Sequence, residues 1–225
     1  MNLANLTLYH QALLVAASLV LLTSFIMLAT ARIMPLIYAF AWQGALLAIV
    51  TALVALVSDS PHLYISALLT LVLKALLIPW MLHRLAVRLN IHHEIEKIRH
   101  PSMMLVAGAL LVIFSYYVAT PIVHLSTLVT RNTIAVSMAV LLLGMLLMVS
   151  RSKAVAQVVG FMSIENGLFF AAVVATHGMP MIVELGIAFD VLVAMVLFGV
   201  FFFQIRASID SLDVDRLNRL SEKGE

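Results

Sequence analysis

Residues 62–83 read HLYISALLTLVLKALLIPWMLH, a run of apolar side chains that contains one charged residue, Lys74, near its middle. A helix of about 20 mostly apolar residues is long enough to cross the hydrocarbon core of a bilayer. A strand of a membrane barrel is shorter and alternates apolar with polar side chains, which this run does not do. The stretch therefore predicts a transmembrane helix with a lysine inside it.

The composition of the whole chain extends this prediction. Apolar residues make up 64% of the 225 residues and charged residues only 11%, and the mean hydropathy is +1.12. These values exclude a soluble globular protein. We predict an all-α integral membrane protein with about seven transmembrane helices, at residues 10–31, 35–57, 62–83, 102–123, 128–150, 154–176 and 180–204.

The positions of the cations predict the orientation in the membrane. Short cytoplasmic loops of membrane proteins carry an excess of lysine and arginine. If the N-terminus lies outside and the C-terminus in the cytoplasm, every Lys and Arg faces the cytoplasm except Lys74, which is inside the membrane, and Arg131. The loops are too short for a soluble domain, so any catalytic headpiece must belong to another chain.

A weak internal similarity suggests a duplication. Sliding the sequence by about 122 positions brings Arg84 onto Arg206 and Gln43 onto Glu165. Spans one to three would then repeat in parallel as spans five to seven, although Lys74 and Asp190 have no charged counterparts. The predicted division is 1–84, a three-helix unit; 85–127, an amphipathic stretch and connecting helix; 128–204, a second three-helix unit; and 205–225, a cytoplasmic tail.

Three ionisable residues lie near the middle of separate predicted spans, namely Lys74, Glu165 and Asp190. A charge at the bilayer centre costs roughly 2.5–3.5 kcal/mol on insertion scales, so such residues usually face a bundle interior or a water-filled path. We predict that the three act as a proton relay. The alternative is that they form ion pairs that only hold the helices together.

Several neighbouring residues could support such a relay. Pro79 cannot donate a backbone hydrogen bond and predicts a helix kink beside Lys74. Gln43, Asn166 and Glu184 are candidates for secondary relay positions. Glu184 lies six residues before Asp190, about 120° away around a helix, so it could equally be a carboxylate at the membrane surface.

The sequence argues against a cofactor in this chain. It has no cysteine, which excludes thiolate-held iron–sulfur clusters and disulfides. Its eight histidines lie at predicted helix ends or in loops, where a haem held by two imidazoles would not reach them. A polar stretch could bind a metal or simply be an amphipathic segment at the membrane surface; its ionisable residues are His92, His93, Glu94, Glu96 and His100. We expect no catalytic residue, cofactor or metal here.

The chain resembles the hydrogenase-4 component E family, membrane subunits of energy-converting NiFe hydrogenases and formate hydrogenlyases. Four segments carry the resemblance: LKALLIP at 73–79, IENG at 164–167, VELGIAFD at 183–190 and SLDVDRL at 211–217. The C-terminal half is in turn similar to the K subunit of complex I and the C subunit of multisubunit cation/proton antiporters. Glu165 matches the glutamate of the middle helix in those proteins, whereas Asp190 lies about one turn from the last-helix glutamate.

The resemblance implies a membrane-arm subunit that helps to move protons, or Na⁺, in step with redox chemistry elsewhere in the complex. The implied partners are antiporter-like membrane subunits, a complex I H-like membrane subunit and peripheral NiFe hydrogenase subunits, which would hold the NiFe centre and the iron–sulfur clusters. Phospholipid would surround the chain in a bacterial or archaeal cytoplasmic membrane, and no nucleic acid is involved. The alternatives are a structural scaffold between antiporter-like subunits and a subunit of a stand-alone cation/proton antiporter.

Overall fold

The computed structural model describes residues 3–58, 61–88, 101–120, 128–175, 186, 188–197 and 199–200. Nearly all of them are helical. The helices are α1 Leu3–Ala29, α2 Ile33–Ser58, α3 Pro61–Thr70, a π-helix Leu71–Leu77, α4 Ile78–Arg88, α5 Pro101–Ala119, α6 Leu128–Ser150, α7 Ala154–Ala175 and α8 Ala188–Leu197.

Six helical stretches within the described residues are long and apolar enough to cross a membrane. The third of them, Leu63–Arg88, combines α3, the π-helix and α4, and it continues past the predicted end at residue 83. The shorter apolar helix α8 lies within the predicted seventh span, whose other residues are mostly outside the described part. The prediction of an all-α membrane protein is confirmed; the membrane orientation, the duplication and the division into units stay predictions.

Four long helices form the centre of the bundle. The first helix packs on α2 and α6, α7 packs on both α2 and α6, and the broken third span packs along α2. The fifth helix lies at the periphery against α6 and α1, and its buried residues are only Gly108, Ser115 and Ala119. Among the residues singled out from the sequence, Lys74 lies in the third span, Gln43 in α2, and Glu165 and Asn166 in α7.

Three glycines bring α6 and α7 into close contact. A Cβ atom added to Gly160 would lie 2.7 Å from the backbone nitrogen of Met148, and one added to Gly167 would lie 2.8 Å from that of Leu141. A Cβ on Gly144, in α6, would likewise lie 2.8 Å from the backbone of α7. Small residues allow this close approach between membrane helices, so α7 is held firmly against its neighbour.

A buried arginine joins the C-terminal ends of α1 and α6. The guanidinium of Arg151 donates hydrogen bonds to the carbonyl oxygens of Met27, Leu28 and Thr30, at 3.1, 3.2 and 2.6 Å. The last carbonyls of a helix have no partner within it, and a cation near them is also favourable for the helix dipole. The two helix ends thus lie at the same end of the bundle.

The glycine contact between α6 and α7 gives a stability prediction. We expect Gly160→Ala to lower the free energy of unfolding by about 1–3 kcal/mol, because the new methyl group must displace the backbone of Met148. A suitable control is Gly199→Ala, since a Cβ there would meet nothing within 4 Å. Thermal unfolding in detergent, followed by the helical circular dichroism signal, measures the effect. Equal stability of the two variants would contradict the prediction.

Candidate functional site

Lys74 lies at the centre of the π-helix Leu71–Leu77. The N–H of Ile78 donates to the carbonyl oxygen of Leu73, five residues earlier, as this wider turn requires. The next residue, Pro79, has no N–H and its ring conflicts with the carbonyl four residues earlier in an ordinary α-helix. The helix just before Pro79 is a π-helix, a conformation that is frequent at functional sites.

A glycine of α2 lets the backbone of that helix contact the π-helix at Lys74. A Cβ atom on Gly44 would lie 2.9 Å from the carbonyl carbon, the carbonyl oxygen and the Cβ of Lys74. With the two backbones in contact, Lys74 has no exposed surface. Its ammonium group must therefore be stabilised by other side chains of the protein.

Three side chains from two other helices surround this ammonium. The Nζ atom of Lys74 donates to a carboxylate oxygen of Glu165 and, at 3.1 Å, to Oδ1 of Asn166, both on α7. The carboxylate of Asp190, on α8, lies 3.6 Å from the same nitrogen. One amine thus lies between two acids that belong to different helices.

The hydrogen bonds continue from Asn166 into the other half of the bundle. Its Nδ2 donates to Oε1 of Gln43 at 2.9 Å, and Nε2 of Gln43 donates to Oγ of Ser24 at 2.8 Å. The hydroxyl of Ser24 donates in turn to the carbonyl oxygen of Val20 at 3.1 Å. We call this set the Lys74 network; its members are Ser24, Gln43, Lys74, Glu165, Asn166 and Asp190.

The two carboxylates of the network have different surroundings. Asp190 has no exposed surface, and neither of its carboxylate oxygens accepts a hydrogen bond from any described residue. Glu165 accepts a hydrogen bond from Lys74 and retains 9% exposure. The network is therefore incompletely hydrogen-bonded at Asp190, where an ionised carboxylate is costly, and it reaches the protein surface at Glu165.

The surface outlet at Glu165 is a groove of about 290 Å³ between α7 on one side and Gly186 and Phe189 on the other. Apart from the carboxylate, its walls are apolar, with Phe161 and Leu168 among the lining residues. The other network members, by contrast, are between 0% and 3% exposed. Within the described part of the chain, the carboxylate of Glu165 is thus where the network meets its surroundings.

An aromatic ring completes the contacts of the ammonium group. The Nζ atom of Lys74 lies 4.5 Å from the centroid of the Phe169 ring, a distance at which the ring face attracts a cation. Sequence reasoning missed Phe169, although it lies four residues after Glu165 and hence on the same helix face. It also missed Ser24, which no sequence signal distinguishes from other serines in the spans.

The structure brings together five of the residues that the sequence singled out: Lys74, Glu165, Asp190, Gln43 and Asn166. Pro79 is the second residue of α4, just after the π-helix, and makes no polar contact of its own in this network. The candidate Glu184 and the histidine-containing stretch at 92–100 lie outside the described residues. In the described ranges, no three His, Cys, Asp or Glu side chains come close enough together to bind a metal ion.

The charge balance of the network gives a second stability prediction. We expect Lys74→Met to lower the free energy of unfolding by about 3–5 kcal/mol, because it leaves two buried carboxylates without their cation. The triple variant Lys74→Met/Glu165→Gln/Asp190→Asn, which has no charge to compensate, should recover most of this loss. Equilibrium unfolding in detergent micelles compares the variants, and a triple variant as unstable as Lys74→Met would contradict the prediction.

Comparison with known proteins finds relatives over most of the chain. It is 32% identical over 183 residues to the uncharacterized protein Rv0085 of Mycobacterium tuberculosis, covering 81% of this chain and 83% of that protein. It is 25% identical over 181 residues to hydrogenase-4 component E of Escherichia coli K12 and of Shigella flexneri, covering 80% of this chain and 84% of those proteins. No family model matches the chain, and no solved structure matches it significantly.

Proposed function

We propose that this chain is a proton-conducting membrane subunit of a NiFe hydrogenase complex. The chain belongs to the same family as the mycobacterial protein Rv0085, and it is a distant homologue of hydrogenase-4 component E. The homology and the membrane-length helices together support membership of a hydrogenase complex. Conduction of protons is a separate part of the proposal, and its support is the chemistry of the Lys74 network.

The observation that carries the proposal is a single buried amine within reach of two carboxylates. Lys74 is bonded to Glu165 and lies 3.6 Å from Asp190. A movement of its Nζ atom by roughly 0.5–1 Å would bring Asp190 within hydrogen-bonding distance. The π-helix at Lys74 supplies backbone that is not locked in the regular α-helical pattern.

Proton transfer through this group can be written as three steps. A proton that binds the carboxylate of Glu165 removes its negative charge and weakens its attraction for the ammonium of Lys74. The ammonium moves toward Asp190 and gives it a proton, which leaves a neutral amine and a neutral acid. The protonated Glu165 then gives its proton to the amine, so that one proton has moved from Glu165 to Asp190. Asp190 would pass it to an acceptor beyond the Lys74 network before the next cycle.

Within the described part of the chain, the lack of hydrogen bonds to the carboxylate of Asp190 favours a proton relay over a structural scaffold. A buried ion pair seldom gives more stability than apolar packing of the same volume. If the ion pairs only held the helices together, we would expect both carboxylates to accept hydrogen bonds. The oxygens of Asp190, however, accept no hydrogen bond from the described residues. An acceptor that is buried, close to a donor and not yet bonded is what proton transfer needs.

The same geometry favours protons over Na⁺. Hard metal cations require a shell of oxygen ligands, whereas here an ammonium group lies between the available carboxylates. Its positive charge would repel a metal cation from the same place. The network therefore supports proton exchange between acid and amine groups as the transport step.

The proposed partner subunits are inferred from the homology to hydrogenase-4 component E. Redox chemistry would take place in peripheral NiFe hydrogenase subunits, which would hold the NiFe centre and the iron–sulfur clusters. Antiporter-like subunits and a complex I H-like subunit would adjoin this chain in the cytoplasmic membrane. Charge shifts in these neighbours would change the proton affinity of the Lys74 network in each cycle.

A reconstituted complex tests the proposal. We expect Glu165→Gln to abolish proton uptake into vesicles, because an amide cannot exchange a proton, while hydrogenase activity with a soluble dye and the subunit composition stay unchanged. The matched control is Asp59→Asn, the same chemical change in the connector between the second and third predicted spans; it should pump normally, with or without Na⁺.

Three results would contradict the proposal. Undiminished pumping by Glu165→Gln in an intact complex would indicate a scaffold. A strict requirement for Na⁺ would indicate another coupled ion. Purification of the tagged chain with antiporter subunits but without hydrogenase subunits would indicate a stand-alone antiporter.

A further inference from the structure

We propose that a transmembrane helix of a neighbouring subunit docks along the seam between α7 and α8 and presents a basic side chain to Glu165. This inference rests on the proposed function only in requiring that the chain works in a complex of several membrane subunits. It identifies the docking face and the chemistry of the group that contacts the network there.

Two cavities, of about 290 and about 270 Å³, lie next to each other along this seam, and together they make up one elongated depression in two parts. They share Phe161 and Phe189, and together they extend along α7 from Val158 to Ala172. At 1.5 Å per residue, this part of α7 is about 21 Å long. We call the depression the α7–α8 trough; it is long enough to receive one face of a membrane helix.

The trough is apolar except at one point. Leu168 on α7 and Leu192 on α8 are among its exposed lining residues. The carboxylate of Glu165 also lines it, at the midpoint of the helix Ala154–Ala175 and thus far from both membrane surfaces. A partner helix that fits the trough must therefore be apolar apart from one group at that depth.

The charges of the network specify that group. With all groups ionised, the two carboxylates of Glu165 and Asp190 outnumber the one ammonium of Lys74, which leaves a net charge of −1. An uncompensated charge at this depth in a membrane is costly. A lysine, arginine or protonated histidine from the neighbour would balance it. Withdrawal of this group, or loss of its proton by a lysine or histidine, would influence proton binding at Glu165.

Other occupants fit this requirement less well. A lipid acyl chain offers only methylene groups, and cationic headgroups lie at the surface, about 15 Å from the bilayer centre. A second copy of this chain has no cation to offer, because Lys74 is its only Lys or Arg near the middle of a predicted span. Its ammonium is already buried in its own network.

Site-specific photocrosslinking in the intact complex tests the docking. A photoreactive benzoylphenylalanine would replace Leu168 or Leu192, two exposed positions whose substitution should not disturb the fold. The control position is Ile113, which is similarly exposed but lies on the peripheral helix α5, away from the α7–α8 trough. Mass spectrometry of the purified complexes would identify what each position captures.

We expect positions 168 and 192 to crosslink to one transmembrane segment of another subunit, with a basic residue within one turn of the captured site, and at higher yield than position 113. Capture of phospholipid, of this chain itself, or of a segment without a basic residue would overturn the proposal. These outcomes are separable from the proposed function. Capture of lipid in a complex that contains hydrogenase subunits defeats only the docking, whereas a complex without hydrogenase subunits defeats only the proposed function.

Discussion

A lysine ammonium with no exposed surface must be neutralised by neighbouring groups, because it lies in a span that is otherwise apolar. The rest of the architecture can be understood from this constraint. The glycine at position 44 lets α2 reach the backbone of Lys74, and the glycine contacts of α6 hold α7 in place. Together they bring Glu165 and Asn166 onto the amine, and α8 adds Asp190 on the side that is least well hydrogen-bonded.

The two carboxylates of the network differ in their exposure and in their hydrogen bonding. Glu165 reaches the surface through an apolar groove, whereas Asp190 is fully buried and accepts no hydrogen bond from the described residues. In the proposed relay, Glu165 would therefore exchange protons with groups outside the chain, and Asp190 would exchange them with Lys74. This arrangement suits a subunit whose protonation is set by its neighbours, in agreement with the distant homology to a named component of a hydrogenase.

Local sequence predicted the spans and the mid-span charges well, because apolar length and charge placement are properties of single helices. It also identified Gln43 and Asn166, which the structure joins directly. It could not predict that Lys74 would bond to Glu165 while remaining 3.6 Å from Asp190. That choice depends on how far helices slide and rotate against each other, which is set by contacts between distant residues.

The same limit explains what was missed. Pro79 predicted a kink but not the seven-residue π-helix or its contact with Gly44, which is far from it in sequence. The cation–π contact of Phe169 and the hydroxyl of Ser24 become visible only once α1, α2 and α7 are packed together. The sequence thus predicts which types of residue lie near a buried charge. Which of them contact each other depends on how the helices pack.

The central claim is that carboxyl groups of the Lys74 network gain and lose protons during turnover. Infrared difference spectroscopy of the working complex, compared between reducing and oxidising conditions, measures this directly. We expect a protonated-carboxyl band that changes with the redox state, shifts in D₂O and is absent from the Glu165→Gln variant. A wild-type complex that pumps protons with no such carboxyl change, or with one that Glu165→Gln leaves intact, would contradict the claim.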